Sequence, residues 1–278
     1  YWGVFYLLRN WISFNYLGKV LKKYLISIEQ AGSPRLEAFF NNVTFQKYQQ
    51  EFQKFGVIGA NLSTKQYFHY AVAGKQRPLS PAELGCTLSH VQALQDFLSS
   101  DEKYACIFED DAISILDFDL NDLEQEVEAL NLKDTFYLSL GGIQLKVNQK
   151  VRGHFLTGTL KNKKVLHVNL LYIRRFSYAY AYVIDRKMAE VFLKYHESPK
   201  VYDHWGELYD ENSHIHFYAT HLFDHPELDE CAAGQSYLEL ERQTLQYNNK
   251  KGKKKNIWGR LKISLIKRIR LTESVKSQ

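Results

Sequence analysis

One stretch of the 278-residue chain decides the fold: Tyr104-Ala105-Cys106-Ile107-Phe108, which runs directly into Glu109-Asp110-Asp111. The apolar run predicts a strand that is covered on both faces. The adjacent carboxylates repel one another, so they require a cation or strong hydrogen-bond donors nearby. Oxygen ligands suit Mg2+ or Mn2+, and we therefore expect a divalent-cation site at the end of this strand. A solvated acidic turn is the alternative.

A strong helix start precedes this strand. Ser80-Pro81-Ala82-Glu83 combines an N-cap serine, a proline at the first helical position and a glutamate three residues after the cap. Further apolar runs predict strands over residues 24–28, 136–140 and 178–184, and amphipathic patterns predict helices over 120–130 and 186–195. This alternation predicts an α/β sheet with mainly parallel pairing, in which ligands bind at the carboxyl ends of strands.

Composition and charge exclude several classes of protein. With 45% hydrophobic residues, the chain can bury a full core. Its net charge of +5 is concentrated in residues 250–278, where eleven Lys or Arg face one acid, and the remaining body has 25 basic and 30 acidic residues. Nucleic-acid binding across the fold is therefore not expected. The cysteines, Cys86, Cys106 and Cys231, form no paired motif, which favours a reducing, cytoplasmic location.

The two ends of the chain predict a tripartite organisation. Residues 1–22 are rich in aromatics but are interrupted by polar residues, which predicts an amphipathic helix that does not span a membrane. Residues 23–249 are expected to form the main domain. Residues 250–278 place lysines and arginines opposite an apolar half, which predicts peripheral binding to an anionic membrane surface, the inner face of the inner membrane. A solvated tail is the alternative.

Five motifs occur in the chain: Leu79-Ser80-Pro81-Ala82-Glu83-Leu84-Gly85-Cys86-Thr87-Leu88-Ser89-His90, the acid-terminated strand, Ala71-Val72-Ala73-Gly74, the aromatic strand over 178–184, and Val201-Tyr202-Asp203-His204. Together they resemble the motifs of glycosyltransferase family 25, which includes bacterial lipooligosaccharide galactosyltransferases. The similarity covers roughly residues 23–240. After the first strand, the family tends to have several arginines, whereas this chain has only Arg35.

The resemblance implies a GT-A type nucleotide-diphosphosugar transferase fold, a Rossmann-like mixed sheet flanked by helices. It also implies inversion at the anomeric carbon, Mn2+ or Mg2+ as cofactor, a UDP-hexose donor with galactose as the expected sugar, and a lipid-linked oligosaccharide acceptor. The implied metal ligands are Asp111, Asp110 and, by a loose match of position, His225. The implied donor-site residues are Ile28, Arg35, Ala71, Gly74, Ser89, His90, Glu109 and Asp110.

Asp203 is the candidate catalytic base. Inversion by direct displacement needs one carboxylate to take the acceptor hydroxyl's proton, and Asp203 lies in a segment with Tyr202, His204 and Trp205, which are suited to stacking on a sugar. A charge at a helix N-terminus is the alternative role. Ser89 and His90 lie off the apolar stripe of their helix, so they face either the donor or a buried hydrogen-bond partner.

The leading hypothesis is thus an inverting hexosyltransferase of lipooligosaccharide synthesis. One alternative is a non-catalytic carbohydrate-binding relative, motivated by the unusual loop over residues 29–35. A metal-dependent phosphoesterase is less favoured, because such sites usually hold two metals about 3.5–4 Å apart with more ligands than this chain offers.

Overall fold

The computed structural model describes residues 21–211, 214–226, 241 and 273–274. Within these residues one mixed sheet runs in the order β10-β6-β7-β9-β5-β8-β3-β1-β2, and β4 pairs with β9. The strands are β1 (Lys22–Ile26), β2 (Gln53–Phe55), β3 (Tyr104–Glu109), β4 (Ile113–Ser114), β5 (Phe136–Gly141), β6 (Arg152–Leu160), β7 (Lys163–Val168), β8 (Ala181–Asp185), β9 (His216–Asp224) and β10 (Glu273–Ser274).

Helices flank the sheet on both faces. The α-helices are α1 (Pro34–Asn41), α2 (Val43–Gln46), α3 (Thr64–Tyr67), α4 (Pro81–Ser99), α5 (Asp122–Ala129), α6 (Arg186–Tyr195) and α7 (Gly206–Glu211). The predicted start of α4 is confirmed, since Ser80 Oγ accepts from the Glu83 amide and Glu83 Oε2 accepts from the Ser80 amide, each at 3.1 Å. This reciprocal cap satisfies two amides that would otherwise lack partners.

The predicted α/β class, a Rossmann-like mixed sheet flanked by helices, is confirmed, but the prediction of mainly parallel pairing is wrong. Parallel pairs join β1 to β2, β1 to β3 and β5 to β9, whereas the other pairs are antiparallel. Strand β8 lies antiparallel between β3 and β5, and β6 and β7 form a hairpin. Apolar patterning indicates a buried strand but carries no information on the direction of its neighbour.

The side chains of β3 alternate between two cores. Ala105 and Ile107 pack in a cluster with residues of α4 and α6, while Cys106 and Phe108 pack in the opposite cluster with residues of α1, α2 and α5. All four are fully buried. Burial of a side chain such as Ile107 or Phe108 contributes about 1.5–3 kcal/mol to folding, so β3 is rigidly held from both sides.

Parallel pairing of β1 with β3 sets the position of the site. Ile26 is opposite Glu109, so both strands end at the same edge of the sheet. Strand β1 ends two residues before the predicted limit, which places Ile28 in the loop that follows. Residues 1–20, and all of 250–278 except 273–274, lie outside the described residues, so the roles of both ends stay predictions.

Candidate active site

A cleft of about 400 Å³ opens at the carboxyl ends of β1 and β3. The acidic triplet at the end of β3 lines it, together with the loop after β1 and residues 57–60. The first turn of α4, the segment 178–180, Asp203 and His225 line it as well. This is the position at which open α/β sheets bind their ligands.

The loop over residues 57–60 is held against α4 by close backbone contact. A Cβ on Gly85 would lie 2.4 Å from the Val57 carbonyl oxygen, and one on Gly59 would lie 1.9 Å from the Pro81 carbonyl oxygen. Ser89 adds a bridge, since its hydroxyl accepts from the Val57 amide at 2.8 Å and donates to the Gly85 carbonyl at 2.7 Å. Ser89 lines the cleft, but these two hydrogen bonds go to backbone, so it also braces the cleft wall.

Arg35 neutralises two of the three acids. Its Nε lies 2.5 Å from Asp110 and its Nη2 lies 2.9 Å from Asp111. Ser33 caps α1 and Pro34 opens it, which places Arg35 in the first turn, above the strand ends. Ser27, directly after β1, donates to Asp110 at 2.5 Å. The single arginine of this loop thus contacts the acidic triplet.

His225 supplies the second partner of Asp111. Its Nε2 lies 3.3 Å from Asp111 Oδ2, and its Nδ1 donates to the Pro226 carbonyl at 2.8 Å. Burial alone would raise the pKa of Asp111, but the hydrogen bond and charge of His225, and then the charge of Arg35, hold that pKa below its usual value. Burial alone would lower the pKa of His225, and Asp111 raises it instead.

The acids fit a hard divalent cation. Asp111 Oδ1 is fully buried and has no hydrogen-bond partner among the described residues, so one carboxylate oxygen of the triplet is left to coordinate an ion. Asp110 stands beside it, and burial raises the pKa of Asp110 despite the charge of Arg35. Two carboxylates and one imidazole form a donor set compatible with Mn2+. Asp111 and His225 are in contact and Asp110 adjoins Asp111 in the chain, and the role of the three as metal ligands stays a prediction.

His90 is buried behind Glu109. Its Nε2 lies 3.2 Å from Glu109 Oε1, its Nδ1 lies 3.0 Å from the Tyr182 hydroxyl, and that hydroxyl lies 2.7 Å from the Tyr202 hydroxyl. The ring stacks on Tyr202 with centroids 3.9 Å apart. Of the two orientations expected for His90, the structure shows the buried hydrogen-bonding one, and its link to the cleft runs through Glu109.

Other predicted donor residues lie at different distances from the cleft. Ile28 lines it. Ala71 is fully buried in a small cluster with Leu79 and Leu84, and Gly74 occupies a turn with φ +71°. Among the described residues that line the cleft, neither Ala71 nor Gly74 appears. The residues of this motif therefore pack beside the start of α4 and do not line the cleft.

Asp203 lies between two cavities. One oxygen accepts from the Tyr178 amide at 3.0 Å, and Tyr178 has φ +79°. Asp203 lines both the main cleft and a second cavity of about 220 Å³, formed by residues of segments 173–177 and 203–207. Among the described residues lining these cavities, Asp203 is common to both.

The aromatic residues around Asp203 belong mainly to the core. Trp205 is 1% exposed and stacks on Phe192 with centroids 5.2 Å apart, so the prediction that it stacks on a sugar is wrong. Tyr202 is also buried, although it contributes to the cleft lining. Their apolar surface outweighs their polar tips, and the segment folds inward.

Some cleft residues were missed from the sequence. Ser27 and the wall formed by Tyr178 and Tyr180 were not among the predicted site residues, yet all three line the cleft. Ser27 could have been predicted, because it directly follows β1, and parallel pairing of β1 with β3 brings the ends of both strands to the same edge of the sheet. Tyr180 donates to the Phe223 carbonyl at 2.8 Å, a contact between distant segments that no local pattern indicates.

The fold and cleft define an α/β protein with an acid-lined cleft at the carboxyl ends of strands β1 and β3. The chain belongs to glycosyltransferase family 25 (LPS biosynthesis protein), whose family model matches residues 20–205. The observed mixed sheet flanked by helices agrees with the GT-A type fold implied by the sequence motifs. The protein is thus a member of a glycosyltransferase family of LPS biosynthesis.

A search of curated proteins finds no match. Among solved structures, the chain is similar to the protein titled "Crystal Structure of A197 from STIV", with 17% identity over 74% of this chain and 84% of that chain. The TM-score is 0.38, and a likeness this weak bears on neither fold nor function. Among the helices in the described residues, none is both long and apolar enough to cross a membrane.

Proposed function

We propose that the protein transfers a hexose from a UDP-sugar, with inversion, to the sugar end of a lipid-linked oligosaccharide. The observation that carries this proposal is the position of Asp203 between the main cleft and the smaller cavity. Inversion requires the nucleophile and the leaving group on opposite sides of the anomeric carbon. A base shared by two cavities suits a donor in one and an acceptor in the other.

The donor's diphosphate is proposed to bind over the acidic triplet. Arg35 is 33% exposed, so its guanidinium can contact a phosphate while it stays paired with Asp110 and Asp111. Asp111, Asp110 and His225 would hold Mn2+ or Mg2+. When bound, that ion would supply positive charge to the departing UDP. Glu109 lines the cleft, and its proposed role is to contact the ribose.

Asp203 then prepares the nucleophile. As the acceptor hydroxyl attacks the anomeric carbon, its proton passes to an Asp203 carboxylate oxygen. The new bond joins the acceptor oxygen to the anomeric carbon, and the bond between that carbon and the diphosphate oxygen breaks. The hydrogen bond from the Tyr178 amide holds the carboxylate in place during the transfer.

The nature of the acceptor rests on family membership and on the sequence of the tail. A family of LPS biosynthesis implies an oligosaccharide acceptor. Eleven basic residues in 250–278 favour an anionic membrane surface, where a lipid-linked acceptor would be found. Galactose is the proposed sugar on resemblance alone.

The test is a transfer assay with a panel of UDP-hexoses, a lipooligosaccharide acceptor and Mn2+, read by mass spectrometry and by the anomeric proton signal in NMR. We expect one hexose to be added with the anomeric configuration opposite to that of the donor. A product with retained configuration would contradict the mechanism. Donor binding without transfer or hydrolysis would favour a non-catalytic relative, and phosphate release from a simple ester would favour a phosphoesterase.

A further inference from the structure

We propose that Cys86, His90 and Glu109 form a separate site for a soft divalent ion such as Zn2+ at the cleft floor. The thiol sulfur, an imidazole nitrogen and a carboxylate oxygen lie within 4.8 Å of one another. The site shares no ligand with Asp110, Asp111 and His225, which are proposed to hold the ion that assists transfer.

Regular structure brings these three ligands together. Cys86 and His90 are four residues apart in α4, so their side chains project from the same face of the helix. Glu109 is the last residue of β3. Helix α4 and strand β3 are each held by a packed core, so the spacing of the ligands does not depend on a loop.

The spacing fits tetrahedral coordination. Zn2+ binds imidazole nitrogen and carboxylate oxygen at about 2.0–2.1 Å, and two such ligands on a tetrahedron lie about 3.3 Å apart. His90 Nε2 and Glu109 Oε1 are 3.2 Å apart. These two atoms are therefore already at the distance that a shared ion would impose.

The second ring nitrogen of His90 has a hydrogen-bond partner, as it usually does in metal-bound histidines. Its Nδ1 lies 3.0 Å from the Tyr182 hydroxyl, which in turn lies 2.7 Å from the Tyr202 hydroxyl. A bound ion would take the place of the hydrogen bond between Nε2 and Glu109, with Nδ1 donating to the Tyr182 hydroxyl and the Nε2 lone pair directed at the ion. A hydrogen bond at the second nitrogen is the usual support for a histidine ligand.

The ligand types select the ion. A thiolate and an imidazole favour Zn2+ over Mg2+, whereas carboxylates and water favour the harder ions. Cys86 and Glu109 both line the cleft, so a fourth coordination position would be open to solvent, as in sites with three protein ligands. Cys106 offers a contrast, because it is buried in the core and burial raises the pKa of its thiol.

The test uses Co2+ as a spectroscopic probe in the full-length protein. We expect one equivalent to produce a thiolate-to-cobalt charge-transfer band in the near ultraviolet, and Zn2+ to displace it. Cys86→Ser should abolish the band, and Glu109→Gln should weaken Co2+ binding at least tenfold. Cys231→Ser and Asp111→Asn should leave the band unchanged, and circular dichroism confirms that each variant is folded.

Two results would overturn the proposal: no charge-transfer band at saturating Co2+, or a band that persists in Cys86→Ser and disappears in Cys231→Ser. Because the signal requires neither donor nor acceptor, its outcome is independent of whether the protein transfers a hexose.

Discussion

Replacement of Asp203 by asparagine separates the proposed catalytic role of this side chain from its structural role. Asp203 accepts one hydrogen bond from the Tyr178 amide at 3.0 Å. An asparagine oxygen can accept the same bond, so only the charge and the proton affinity are lost. A single hydrogen bond to a neutral acceptor in place of a charged one changes the free energy of unfolding by about 1 kcal/mol.

The catalytic effect should be much larger. Loss of a general base lowers the rate by about 10²–10⁴-fold, which corresponds to about 2.7–5.5 kcal/mol in the activation free energy. Donor contacts lie at the acidic triplet in the same cleft, so KM for the UDP-sugar should change little. The expected pattern is therefore a fall in kcat at nearly constant donor KM and melting temperature.

The assay measures UDP release under initial-rate conditions, with thermal unfolding of the same preparations. Asp134→Asn is the matched control, since Asp134 is an exposed carboxylate that pairs with Lys187. Full turnover by Asp203→Asn would refute the assignment of the base. If the melting temperature of Asp203→Asn falls by as much as that of Asp203→Ala, the carboxylate is required for the stability of the fold and not specifically for catalysis.

Other side chains can be tested by their effect on stability or on membrane binding. Arg35→Gln should lower the free energy of unfolding by about 1–3 kcal/mol, because it leaves Asp110 and Asp111 without their guanidinium partner. Urea unfolding measures this loss, and Mn2+ should restore part of it. Burial lowers the pKa of His196 to about 3, so between about pH 6.5 and 3 the unfolded chain binds a proton that the folded state does not. The free energy of unfolding should therefore fall by up to about 1.4 kcal/mol per pH unit of acidification in that window. His196→Phe should make the free energy of unfolding less dependent on pH there. Gly85→Ala should destabilise by about 1–3 kcal/mol because its Cβ would meet the Val57 carbonyl, and an unchanged melting temperature would contradict this contact. Replacement of the lysines of 253–255 by glutamine should weaken binding to anionic vesicles by up to about 1 kcal/mol per residue, measured by co-sedimentation. Undiminished binding would rule out the membrane role of the tail.

Local signals predicted the elements of the fold better than their arrangement. The cap at Ser80 and the apolar run of β3 are each encoded by a few neighbouring residues, and the structure has both where expected. Helix α6 also has its predicted limits. The antiparallel insertion of β8 and the hairpin β6–β7 depend on contacts between distant segments, which periodicity does not encode.

The site shows the same division. Asp110, Asp111 and Arg35 follow adjacent parallel strands or begin the next helix, so strand order brings them together. His225 reaches Asp111 only because β9 pairs with β5 on the far side of β8, and motif position alone suggested it. Trp205 was misassigned because a large aromatic residue next to a polar segment suits a sugar surface and a core equally well.

The most direct test of the central claim is donor binding measured by thermal shift. Wild-type protein is heated with each UDP-hexose, with Mn2+ and without it, and Asp111→Asn is compared with Asp134→Asn. A donor at about 100 times its Kd stabilises the folded state by about 2.7 kcal/mol, or about 5–10 °C for a protein of this size. We expect such a shift for one UDP-hexose with Mn2+, its loss in Asp111→Asn and its retention in Asp134→Asn. A full shift in Asp111→Asn, or no shift with any sugar nucleotide, would contradict the proposed donor site.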